Sequence, residues 1–274
     1  METGTLAVPG AELYYELRGS GPVLLLVNGG EGDAGVFAPL AMLLAERYTV
    51  ITYDPRGNSR SRLTVPVGEQ HVSQYARDAH LLLLAALLRA LCREPAYLFG
   101  TSYGGMVAMD LLAARPEQVR AVVAHESPLV ELLPDAERWH ASFQQVYETY
   151  QREGATEAVG ELAGLLGVDA PPEPSPAMPP AVAAMLERIH ANMAFCVAYE
   201  LRSFMRYRPD LEALGGGKLT PAYGAESGSE FCRRTTQALA ERLGAETAGF
   251  PGGHAGYLTH PAEFAKTLYD VLES

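Results

Sequence analysis

Two rhythms of apolar residues alternate along this chain. Short continuous apolar runs at Val23–Val27, 48–53, 96–99 and 119–124 read as strands buried on both faces. Residues 5–8 and 11–17 read as two further short strands, the second carrying Leu13, Tyr15 and Leu17 on one face. Pro9-Gly10 and Gly19-Ser20-Gly21-Pro22 supply the turns around them. Between the runs, apolar positions recur at helical spacing, as in 36–47 with Phe37, Leu40, Leu43 and Leu44, and in 72–91. Residues 218–223 and 245–250 close the strand series, and 230–243 and 261–272 read as its last helices. Such alternation predicts an α/β fold with a mostly parallel sheet flanked by helices, and active residues at the carboxyl ends of strands.

The alternation lapses from Leu129 to about Leu214, where only helices are predicted, over 135–153, 156–166 and 181–207. A proline-rich joint, Pro171 to Pro180, separates the last two. The expected organisation is therefore a core of residues 1–128 and 215–274, with a helical lid of 129–214 inserted after the sixth main strand. Arg202 and Arg206 share a face of the last lid helix and read as a solvated basic stripe, with an anion-reading role as the alternative.

One stretch carries chemistry. Residues 96–110 read AYLFGTSYGGMVAMD: a buried strand, a tight turn with Ser102 at its apex, and a helix. Gly100 and Gly104 stand two before and two after the serine, where only a missing side chain lets strand and helix pass. The helix that follows points its amide end at Ser102, so developing negative charge is favoured there. G-x-S-x-G is common by itself; the strand before and the helix after make it informative. A second glycine-rich loop, Asn28-Gly29-Gly30-Glu31-Gly32-Asp33, follows a buried strand and suggests backbone brought close to another group, or a flexible loop.

Composition adds exclusions. A net charge of −12 argues against nucleic acid or an anionic membrane as partner. Cys92, Cys196 and Cys232 are odd in number and widely spaced, which fits a reducing compartment and no disulfide framework or zinc site. No signal peptide is read at the N-terminus, and the longest apolar run, 81–88, is too short to span a bilayer. A cytoplasmic location is expected. No metal-ligand spacing, G-x-G-x-x-G or P-loop appears, so neither a metal nor a cofactor is expected.

Taken together, residues 4–272 resemble the α/β-hydrolase family. Gly100-Thr101-Ser102-Tyr103-Gly104 is similar to its nucleophile elbow, and Asn28-Gly29-Gly30 stands where the family has its His-Gly oxyanion loop. Asp54-Pro55-Arg56-Gly57 resembles a structural turn of the family, in which Asp and Arg can pair. His254, after Gly252-Gly253 and before the last helix, stands at the family's catalytic histidine. The resemblance implies Ser102 as nucleophile, His254 as base, and the backbone N–H groups of Gly30 and Tyr103 as oxyanion hole. An imidazole suits the base role because it titrates near neutral pH. His125, at a strand end, is its rival.

The chain departs from the family at the third member. The usual Asp would fall near Ser227, and a serine cannot stabilise an imidazolium as a carboxylate does. Glu126, at the end of the preceding main strand, is a position some relatives use, and is preferred to Glu226, whose neighbour relation turns it the other way. A site with no carboxylate is the remaining alternative. The resemblance implies a serine hydrolase of a small ester, lactone or thioester. Cyclisation, C–C cleavage or acyl transfer on the same site, or a non-enzymatic ligand receptor, are the alternatives. Lid aromatics Trp139, Phe143, Phe195 and Phe204 suggest an apolar, partly aromatic pocket for a small molecule with an apolar part, or else the lid's own core. The oligomeric state is open.

Overall fold

The structure is a computed structural model that describes residues 1–89 and 94–273. Cys92, and the end of the helix expected over 72–91, lie outside the described residues.

Among the described residues nine strands form one sheet: β1 (Glu2–Val8), β2 (Ala11–Arg18), β3 (Val23–Val27), β4 (Thr49–Tyr53), β5 (Arg62–Leu63), β6 (Ala96–Thr101), β7 (Val119–His125), β8 (Leu219–Gly224) and β9 (Ala248–Phe250). Their order is β1-β2-β4-β3-β6-β7-β8-β9, with β5 paired to β2. All pairs from β4 through β9 are parallel; β1, β5 and β4 meet β2 antiparallel. The short β5 lies in what the sequence presents as a polar loop. Every residue of β3 and β6 is buried, as their unbroken apolar runs require.

The chain winds from β3 to β4 on one side and from β6 to β9 on the other. The switch in direction between β3 and β6 opens a crevice at their carboxyl ends. The helix Tyr103–Ala114 packs nine buried residues against the sheet, and the helix Val72–Arg89 lies beside it.

Between β7 and β8 the described chain holds no strand paired to the sheet, only helices: Ala136–Glu153, Ala155–Leu166, Pro180–Phe195, Leu201–Phe204 and Leu211–Leu214. The helix expected over 181–207 is interrupted by a π turn at Cys196–Glu200, which turns Cys196 and Glu200 into the interior. By length and a mean hydropathy of 1.2, Pro180–Phe204 would suffice to cross a bilayer, a stretch the apolar-run reading overlooks. Here it packs on the sheet domain. Arg188 Nε donates to Asp33 at 2.7 Å, Asn192 Oδ1 accepts from Ser59 N at 2.8 Å, and Tyr75 donates to Glu200.

One expectation changes, and one alternative is decided. Asp54 and Arg56 do not pair. Arg56 forms a two-pronged pair with Asp78 at 2.6 and 2.7 Å, while Asp54 takes Arg60 at 2.7 and 2.8 Å. Arg56 reaches across to the helix Val72–Arg89, while Asp54 is met by Arg60 six residues on in the same loop. The inserted aromatics lie outside the lining of the cavity that Ser102 borders and pack on other rings. Trp139 stacks on Phe143 and lies tilted on Phe231, Phe143 meets Phe231 edge-on, Phe195 lies on Tyr199, and Phe204 lies on Tyr103 and Tyr75. Their area does most when buried between insertion and sheet.

Candidate active site

Ser102 occupies the turn between β6 and its helix with φ +53° and ψ −123°, a conformation L-residues rarely adopt. What holds it there is crowding. A Cβ on Gly100 would sit 2.3 Å from Gly104 O, and one on Gly104 would sit 2.0 Å from Val27 O. Ser102 N still donates to His125 O at 2.8 Å, extending the β6–β7 ladder through the turn. The loop after β3 passes against the serine: a Cβ on Gly29 would lie 2.9 Å from Ser102 Cβ. The flexible-loop alternative is therefore replaced by close backbone approach.

Glu126 follows the last residue of β7 and is fully buried, with φ +49°. Its Oε2 accepts from His254 Nδ1 at 2.7 Å, and its Oε1 accepts from Gly224 N at 2.9 Å. Burial favours the neutral acid, but the His254 and Gly224 hydrogen bonds and the nearby imidazoles outweigh it, holding Glu126 below the usual carboxylate range. An ionised carboxylate can only accept, so His254 Nδ1 carries a proton and Nε2 is the nitrogen left to exchange one. Burial also works against an imidazolium at His254, yet contacts with Cys232 and Glu126 raise its pKa well above the ordinary value.

His125 is in a different environment. It is fully buried among Phe99, Phe250 and Phe264, with Nδ1 3.2 Å from Thr101 Oγ1. Burial pushes its pKa down to about 4. Glu226 is exposed beyond β8, and its backbone N donates to Gly252 O. Ser227, at the family's usual acid position, is buried and accepts from Ser229 N at 3.4 Å.

Ser102, His254, Gly30 and Tyr103 line one cavity. Its other walls are aliphatic or small, including Leu162, Leu166, Val168, Pro171 and Met193 from the insertion, with Glu31 and Asp169 as its acidic members. Tyr103 is the aromatic residue among the lining side chains. Sequence reading missed Glu31 and Asp169, and it missed Cys232. Cys232 Sγ, a Glu126 carboxylate oxygen and a His254 ring nitrogen lie within 4.8 Å of one another. No spacing rule marks that thiol, because its neighbours come from other elements. Cys196 and Cys232 are both free and buried.

Comparison with known proteins now bears on the fold. Residues 22–165 match the family model described as alpha/beta hydrolase fold. The chain belongs to the alpha/beta hydrolase family. It is 38% identical to an uncharacterized hydrolase, YraK, of Bacillus subtilis, over all of this chain and 97% of that one. It is 29% identical to the zearalenone hydrolase of Bionectria ochroleuca, over 98% of this chain and 97% of the other. Among solved structures, a thermophilic esterase from Thermogutta terrifontis superposes with a TM-score of 0.75 at 20% identity, covering 100% of this chain and 98% of that one. That superposition is a likeness of fold, a mostly parallel sheet flanked by helices.

Proposed function

We propose that this alpha/beta hydrolase is a serine hydrolase that cleaves a small ester, lactone or thioester through an acyl-enzyme on Ser102. The observation that carries the reading is the His254 Nδ1–Glu126 Oε2 hydrogen bond beside a cavity that His254 shares with Ser102. Ser102 Oγ attacks the carbonyl carbon and passes its proton to His254 Nε2. Glu126 stays ionised and stabilises the imidazolium. The Gly30 and Tyr103 N–H groups receive the developing oxyanion, where loss of one donor typically costs about 10²–10³ in rate. The imidazolium then returns its proton to the leaving alcohol or thiol. Water, deprotonated by His254, attacks the acyl carbon, and the imidazolium returns that proton to Ser102 Oγ as the carboxylic acid departs.

The aliphatic walls suit an apolar acyl or alcohol portion, and the helices over residues 136–204 act as the lid of this cavity. The word esterase in the name of the Thermogutta terrifontis protein agrees with this class. The test is covalent. A fluorophosphonate probe should label Ser102 in the native chain and fail on Ser102→Ala. A p-nitrophenyl ester should release a burst near one equivalent before steady turnover. An unlabelled Ser102 in folded protein would overturn the reading.

A further inference from the structure

The site residues include one group the proposed reaction does not use. Cys232 sits in the first turn of the helix Glu230–Leu243, is 2% exposed, and has its backbone N bonded to the capping Ser229 Oγ at 3.1 Å. Its thiol faces the same pair of groups that would drive catalysis. One ligand atom each from Glu126, Cys232 and His254 falls within 4.8 Å of the others. They arrive from the end of β7, the loop after β9 and the start of a helix; Glu126 N donates to Ala222 O at 2.9 Å and Cys232 N to Ser229 Oγ at 3.1 Å. We propose that Glu126, Cys232 and His254 form a binding site for a thiophilic divalent cation of the zinc type, and that occupancy switches the enzyme off.

The donor set decides the ion. A thiolate, an imidazole and a carboxylate match zinc, whereas magnesium and calcium select oxygen ligands only. Ligand lengths of roughly 2.0–2.3 Å place tetrahedral donors roughly 3.3–3.7 Å apart, so side-chain shifts of about 1 Å close the site. Cys232 and Glu126 together supply two negative charges, which neutralise a dication in a buried place. His254 borders the cavity and leaves the fourth position for water from that side.

Inhibition follows from proton positions. In the metal-free pair Nδ1 donates to Glu126, and Nε2 is the nitrogen that exchanges a proton. With the cation bound through Nδ1, the one proton left on the ring sits on Nε2, the Cys232 thiol gives its proton to solvent, and the Nδ1–Glu126 hydrogen bond breaks. Nε2 can then no longer accept a proton from Ser102. This last step rests on the serine-hydrolase reading; the binding itself does not.

Two measurements separate them. Titration of the native chain with Cd²⁺ should produce a thiolate-to-metal charge-transfer band that saturates at one equivalent, with release of protons. Cys232→Ser and Cys232→Ala should both lose that band while keeping the native circular dichroism. In the ester assay, Zn²⁺ should inhibit, EDTA should restore turnover, and Mg²⁺ should have no effect. The Cys232 variants should need about tenfold more Zn²⁺ or beyond for half inhibition. A band that persists without Cys232, or equal Zn²⁺ sensitivity in its variants, would overturn the proposal. If no ester is turned over, the Cd²⁺ band still decides the cation site.

Discussion

Glu126 Oε2 and His254 Nδ1 stand 2.7 Å apart although 128 positions separate them in the chain. The bond fixes which imidazole nitrogen is free, because a buried carboxylate that also accepts from Gly224 N must be met by an N–H.

Glu126→Gln should lower kcat on an activated ester by about 10³–10⁴ while leaving KM near native, since an amide stabilises no imidazolium. The amide oxygen still accepts from Gly224 N, so the fold persists. Glu226→Gln, at an exposed position, should leave turnover unchanged. Steady-state kinetics on the two purified variants checks both, and the reverse pattern would move the acid to Glu226.

Strain at the elbow gives a stability prediction. Ser102→Gly and Ser102→Ala both remove the hydroxyl, but only glycine relaxes at φ +53°. Relief of about 1–3 kcal/mol, less about 0.5–1 kcal/mol of added chain entropy, should leave the glycine variant the more stable. Urea denaturation of the two inactive proteins side by side provides the comparison.

Crowding at the same turn should make Gly104→Ala fail. Its Cβ would meet Val27 O at 2.0 Å and Asn28 O at 2.6 Å, both backbone atoms that cannot step aside. A loss of about 3 kcal/mol or more follows, read as insolubility or a depressed Tm. Gly160→Ala is the contrast. That glycine lies in the helix Ala155–Leu166 with nothing within 4 Å of a new Cβ, so alanine should stabilise by about 0.5–1 kcal/mol.

Glu200 should make stability depend on pH. Burial raises its pKa to about 7, against the opposing hydrogen bonds from Tyr75 and Asn58. Below the ordinary value of 4.5 the folded and unfolded chains both hold the proton. Between there and about 7 the folded chain binds more proton than the unfolded one, so stability declines as pH rises. The full loss is about 3 kcal/mol. Glu200→Gln should flatten this slope and exceed the native protein in Tm at about pH 8, which unfolding at about pH 5 and about pH 8 would reveal.

The chain's own pattern was enough for the order of strands and helices, the turn at Ser102 and the glycines around it. These depend on neighbours a few residues away: an apolar run must be covered, and a turn with no room must use glycine. The resemblance then pointed to His254. What local pattern could not decide was any pairing between distant elements. Placing β7 beside β8 brings the Gly224 N–H to Glu126, and leaves Glu226 outside. The aromatic packing of Phe99, Phe250 and Phe264 encloses His125 and removes it from the cavity. Arg56 found Asp78 rather than Asp54, and the insertion's aromatics went into packing. Cys232 reached the Glu126–His254 pair by the same route. Each outcome depends on which strand ends the sheet order sets side by side, a relation between residues far apart in sequence that only the assembled sheet creates.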